Sequence, residues 1–251
     1  RDLTDLCKTN KINLHYTKKI NSKKTVLWIR KKSPDYIFCF GWSQILGKDI
    51  LNIPTKHVVG FHPTKLPLYR GRHPIIWSII LGLKETASSF FIINKDVDDG
   101  PIISQKNIQI KKNETSYSLY LKIIKHAEVQ VKNIVNAIKK NKIKIKKNIK
   151  LKKSYLRKRN FLDGKIDWRM RAVDIDRLVR ALGKPYPGAH IIHEDRVYKI
   201  WQTKIIKNNE SFEPGKVIAN VRNKPIVKCT DASIKIIESE PLLKLGDIEY
   251  I

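Results

Sequence analysis

The sequence predicts an α/β domain on a mostly parallel sheet, followed by a small C-terminal β-barrel or sandwich. Short apolar runs alternate with helical stretches through the first half, and a long amphipathic helix closes that half. Beyond Pro187-Gly188 the pattern changes to short strands between turns. In α/β sheets the loops beyond the carboxyl ends of the strands gather the chemistry, so the residues just after each apolar run matter most.

Residues 3–9 open the chain with a helix-like segment. Because this helix directly follows Arg1, with no initiating methionine, the chain reads as a fragment of a longer one. Tyr36-Ile37-Phe38-Cys39-Phe40 is a buried strand between Pro34-Asp35 and Gly41. Val58-Val59-Gly60-Phe61 is a second, and Ser89-Phe90-Phe91-Ile92-Ile93 a third that precedes an acidic turn from Asp96 to Gly100. Between these two, residues 74–81 are apolar all round, the pattern of a buried helix. Over 115–138, Leu119, Ile123, Ile124, Ala127, Val131, Ile134, Val135 and Ile138 recur at helical spacing. Residues 139–153 are rich in lysine and hold no acidic residue; they read as a linker, with an edge strand where Ile143 and Ile145 alternate with lysine. The chain is thus divided near residue 150, into an N-terminal part over 1–150 and a C-terminal β part over 151–251. The second part opens with a short helix at 173–182, and strands are expected at 197–201, 217–221, 226–229 and 234–237.

Of the 251 residues 41% are hydrophobic, enough for a real core, which excludes a wholly disordered chain. No apolar run approaches the roughly 18 residues of a membrane span, and no signal peptide opens the chain. Cys7, Cys39 and Cys229 lie far apart without metal-ligand spacing, which fits reduced thiols in a cytoplasmic protein and no metal site. The formal charge of +28 suits a polyanion partner. Lysine is nevertheless spread with isoleucine and asparagine along the whole chain instead of forming a patch. The charge reads as compositional drift that attracts the phosphates of a small substrate, with nucleic acid the weaker alternative.

Functional residue types are densest from Gly60 to Gly71, where His62 ends an apolar strand and Pro63 and Pro67 stiffen the following turn. A histidine there is either a hydrogen-bonded structural residue or a catalytic one. Asn94-Lys95-Asp96-Val97-Asp98-Asp99-Gly100 is either a solvated turn, a cation loop lacking the EF-hand spacing, or the source of a carboxylate that pairs with His62 and orients its ring.

Taken together these segments resemble the N10-formyltetrahydrofolate-dependent formyltransferases, the family of methionyl-tRNA formyltransferase and the sugar N-formyltransferases. The resemblance rests on His62, Thr64-Lys65-Leu66-Pro67, Arg70-Gly71 and, 36 positions after His62, Asp98 in Asp98-Asp99-Gly100. Downstream, Asp163-Gly164-Lys165-Ile166-Asp167-Trp168 and Pro185-Tyr186-Pro187-Gly188-Ala189 resemble the junction into that family's C-terminal β-domain. It implies a Rossmann-like catalytic domain, its first strand and glycine-containing loop missing from this chain, and an OB-like C-terminal domain. It further implies His62 as general acid/base and Asp98 as the carboxylate that tunes it. The formyl donor, N10-formyltetrahydrofolate, would be held by Arg72, the backbone at Gln44, Ile45 and Leu46, and the loop of Asn94, Lys95, Asp96 and Val97.

The family's oxyanion-stabilising asparagine falls on Gly60, as in relatives resembling GDP-perosamine N-formyltransferase, so another donor is expected there. Arg70-Gly71-Arg72 and Pro-Tyr-Pro-Gly-Ala are similar to the sugar branch. The acceptor implied is the amino group of a nucleotide-linked 4-amino-deoxysugar, in surface polysaccharide synthesis. Methionyl-tRNA, or folate binding without transfer, are the alternatives; a homodimer is left open.

Overall fold

A computed structural model describes residues 2–147, 154–208, 211–243 and 250–251. The chain opens with α1 (Thr4–Thr9) and α2 (Lys23–Arg30), the latter capped by Ser22, whose side chain accepts the Thr25 N–H. There follow β1 (Tyr36–Cys39), α3 (Lys48–Leu51), β2 (His57–His62), β3 (Arg70–Gly71), α4 (Pro74–Ile80), β4 (Glu85–Ile92), β5 (Ile102–Gln109) and α5 (Ser116–Lys139). The remainder comprises β6 (Tyr155–Leu156), α6 (Ala172–Leu182), β7 (Ala189–His193), β8 (Arg196–Ile206), β9 (Val217–Asn220), β10 (Pro225–Lys228) and β11 (Ser233–Glu240).

The α/β class stands, and the first sheet is mixed, in the order β1-β2-β4-β5. Within this sheet, among the described residues, only β1 and β2 pair in parallel, with α3 in the crossover between them, while β4 runs antiparallel to both β2 and β5. The connection from β4 to β5, residues 93–101, is too short for a parallel crossover, and that forces the reversal. The C-terminal sheet has five antiparallel strands in the order β7-β8-β11-β10-β9. It is separate from the first sheet, and among the described residues no pairing joins β9 to β7. The linker expected over 139–153 lies partly outside the described residues, at 148–153; in its described part Lys146 bridges Ile102.

Apolar side chains from both halves form one core. Ile76 and Ile79 of α4, Leu119 and Ile123 of α5, and Ile175, Leu178 and Val179 of α6 pack with Ile191, Ile200, Val227 and Ile234 of the second sheet. A smaller cluster, Val59, Phe90, Ala127 and Ile134, seats α5 on the first sheet. β3 and β6 form a two-stranded parallel ladder, Arg70 beside Tyr155 and Gly71 beside Leu156. Gly71 has φ +103°, and a Cβ there would lie 2.4 Å from the Leu156 carbonyl oxygen, so only glycine lets the strands approach.

Candidate active site

β2 delivers His62 to the end of the sheet, buried to 6% exposure. Its Nε2–H donates to the Tyr69 carbonyl (3.1 Å), which assigns that proton because a carbonyl only accepts. Nδ1 then faces the Asp98 carboxylate, 3.6 Å from Oδ2. At this distance the pair is a charge contact and not a hydrogen bond. Asp98 is held in turn: its Oδ2 accepts the Gly71 N–H at 3.0 Å. The neighbouring Asp99 pairs with Arg70, which is 2% exposed, so a second carboxylate is drawn away from the histidine. Tyr69, His73 and Asp98 all have left-handed backbones (φ +58°, +53° and +50°). Such conformations carry strain in non-glycine residues and cluster at functional sites.

These groups open on a cavity of about 990 Å³. All ten residues expected from the sequence lie on its wall: His62, Asp98, Arg72, Gln44, Ile45, Leu46, Asn94, Lys95, Asp96 and Val97. The 44–46 loop is braced from the N-terminal segment. The Gln44 side chain accepts from Ile20 N–H and donates to the Lys18 carbonyl, and Asn21 donates to the Ile45 carbonyl. Arg72 donates to the Ser43 carbonyl (2.9 Å), tying the loop to the β3 turn. In the acidic loop the Asn94 side chain accepts the Asp96 N–H, an Asx-turn that fixes its start. Among the described residues no group of three or more His, Cys, Asp and Glu side chains could hold a metal ion.

Sequence reasoning missed the wall that the second half contributes, with Arg159, Phe161, Tyr186 and His190 among its residues. Their meeting with His62 depends on how α6 and the second sheet pack, which no local pattern encodes. At position 60 no void awaits an amide. A Cβ on Gly60 would lie 2.8 Å from Ile93 Cγ1 and 2.9 Å from Phe91 Cζ.

The formyl transferase family model matches residues 4–138, and the formyl transferase C-terminal domain matches residues 161–244. The chain belongs to the formyl transferase family. Over 231 residues the chain is 37% identical to the bifunctional polymyxin resistance protein ArnA of Wigglesworthia glossinidia brevipalpis, covering 92% of the chain and 35% of that protein. It thus spans about a third of that relative's length. It is 28% identical over 233 residues to the methionyl-tRNA formyltransferase of Caldanaerobacter subterraneus, covering 92% of the chain and 75% of the relative. Among solved structures, WlaRD, a sugar 3N-formyl transferase with dTDP and 5-N-formyl-THF, superposes with a TM-score of 0.72 at 22% identity, covering 97% of this chain and 83% of that one. An N-formyltransferase from Helicobacter canadensis, with folinic acid and dTDP-3-aminofucose, gives 0.69 at 20% identity, covering 94% and 82%. At these identities the likeness is one of fold. No described helix of the chain is long and apolar enough to cross a membrane.

Proposed function

We propose that the chain transfers the formyl group of N10-formyltetrahydrofolate to the amino group of a nucleotide-linked amino-deoxysugar, a 4-amino sugar in our reading. The observation that carries this is the His62–Asp98 pair on the wall of the cavity that Arg72 and residues 94–97 also line. The donor brings a formyl carbon activated by its bond to the folate nitrogen. The Arg72 guanidinium, the braced backbone at 44–46 and the loop at 94–97 hold it. As the amine attacks, a proton must leave its nitrogen, and Nδ1 of His62 is the atom to take it, because Nε2 already carries one. The imidazolium so formed lies between two groups that favour it, the Asp98 carboxylate and the Tyr69 carbonyl. His62 then returns the proton to the leaving folate nitrogen, a transfer that contributes about 10²–10⁴-fold. Position 60 offers no side chain to the developing oxyanion, so its hydrogen bond comes from another donor on the wall.

A second reading, formylation of methionyl-tRNA, is favoured by the curated relative of that activity and by the charge of +28. The test incubates the protein with N10-formyltetrahydrofolate and nucleotide-linked 3- and 4-amino sugars, with methionyl-tRNA in parallel, and weighs the products by mass spectrometry. One sugar should gain the mass of a formyl group. Formylation of the tRNA alone would replace the sugar reading with the second.

A further inference from the structure

The donor and proton-transfer residues leave part of the cavity wall without a role, and that part belongs to the C-terminal half. Phe161 is 59% exposed there, an unusual state for a phenylalanine. One face of its ring lies on His190, with centroids 4.1 Å apart and planes 23° from parallel. His190 itself is 3% exposed, and burial, then Lys165, push its imidazole below the ordinary range, so at neutral pH it stacks as an uncharged ring. Gly164 admits it, since a Cβ there would lie 3.2 Å from His190 Nδ1.

Cations gather beside this stack. Arg159, 9% exposed and on the same wall, lies with its guanidinium 5.0 Å from the centre of the Trp77 ring, and Arg157 lies 5.5 Å from it. Asp163 fixes the turn that carries them: it pairs with Arg157, accepts the Asn160 N–H at 2.7 Å, and takes an Arg159 bond on its carbonyl. His73, also on the wall, is pushed below the ordinary histidine range by burial and then by Arg159, Arg72 and Lys158, with Asp163 opposing. Positive charge outweighs negative there, and an anion would be welcome.

We infer that this wall seats the nucleotide of the acceptor, its base flat on the open face of Phe161 and its diphosphate against Arg159 and His73. The inference rests on the nucleotide-linked acceptor proposed above and names the residues that recognise it. His190, Phe161 and the base would form a three-layer stack. Stacking of this kind tolerates any base, because every base offers a π-face. Arg159 supplies planar, charge-assisted donors to phosphate oxygens. A cavity of about 990 Å³ lies at the upper end of the range for one small ligand, which suits two substrates side by side.

The test is calorimetric binding of GDP, UDP, dTDP and inorganic pyrophosphate to the wild-type protein and to Phe161→Ala, Phe161→Leu, Phe161→Trp and Arg159→Gln. Circular dichroism serves as the control for folding, and tetrahydrofolate binding reports on the donor site. At least one nucleoside diphosphate should bind the wild type and lose about tenfold in affinity or more with Ala or Leu, but little with Trp. Pyrophosphate binding should ignore the Phe161 variants and weaken in Arg159→Gln. Nucleotide binding indifferent to Phe161 would overturn the inference and leave the acceptor class standing. Loss of folate binding in Phe161→Leu would assign the ring to the donor instead and also overturn it. Failure of every nucleoside diphosphate to bind, with folate binding intact, would remove the acceptor class and the inference together.

Discussion

His62 is gripped on both nitrogens, and its neighbours can be changed one property at a time. His62→Asn removes the proposed proton carrier. Turnover should fall about 10²-fold or more with KM nearly unchanged, read by steady-state kinetics. Asp98→Asn keeps an oxygen for the Gly71 N–H, bonded at 3.0 Å, and deletes the charge that faces Nδ1. Its kcat should also drop with KM spared, and Asp98→Glu should recover part of the loss. Equal rates in Asp98→Asn and wild type would reduce Asp98 to a turn residue. Gly60 gives a prediction of opposite logic. Because Phe91 and Ile93 already occupy its side-chain space, Gly60→Asn should cost about 1–3 kcal/mol of stability by overpacking, and it should lower activity. A tenfold gain in rate would instead mean that the site had merely lost a donor.

At the scale of elements, α5 shows how local chemistry fixes a boundary. Thr115 accepts the Ser118 N–H while Ser118 accepts the Thr115 N–H, a reciprocal cap. Glu114, 5% exposed, sits beneath this cap and takes bonds from Ser118, Lys122 and the Lys111 N–H. Burial works to raise its carboxyl, but the bonds from Lys122 and Ser118 outweigh it and hold the group below its ordinary value of 4.5. A carboxylate depressed by folding stabilises above its unfolded pKa, and that contribution is lost as pH falls through the folded one. Glu114→Gln should therefore cost about 1–3 kcal/mol near neutrality. Its melting temperature should converge on that of the wild type as pH drops below about 4.5. A constant gap down to strong acid would contradict the linkage.

The periodic apolar face made α5 legible from the sequence, as the one-sided apolar pattern did for α6. β5 was not legible. Its stretch Ile-Ile-Ser-Gln-Lys-Asn-Ile-Gln buries Ile108 alone, so neither alternation nor an apolar run marks it. α2 hides likewise, burying only Thr25 and Val26. The meeting of His62 and Asp98 was anticipated because their motifs are ordered and specific, although no local rule links residues 36 positions apart. Phe161 and His190 carry no such motif, and their stack forms only once β7 lies against the turn after β6.

For the molecule as a whole, charge and core pull in different directions. The formal charge of +28 would favour any polyanion, yet a nucleotide sugar presents only a few phosphates. Affinity for the acceptor should then fall modestly between about 50 and 200 mM salt, whereas a tRNA touching six or more phosphates would lose roughly 10³-fold. A steep slope with tRNA, joined to formylation of its aminoacyl end, would favour the nucleic-acid reading. The core, for its part, denies the two halves independence. α4 and α6 share apolar contacts with the second sheet, so heat should unfold the protein in one calorimetric transition. Two separated transitions would mean that the shared packing is weak.

The ladder between β3 and β6 bears on recombination. Residues 154–156 come after the lysine-rich stretch, yet they grip the turn on which His62 and Asp98 depend: Tyr69 N–H donates to Ser154 Oγ, Arg70 N–H to its carbonyl, and Arg72 N–H to that of Leu156. A chimera joined to a relative's C-terminal half at residue 150 would exchange this grip for a foreign one. A crossover after Leu156 would keep it native. Of two such hybrids the second should retain the higher kcat at equal folded yield, because the seam of inheritance then runs behind the active site.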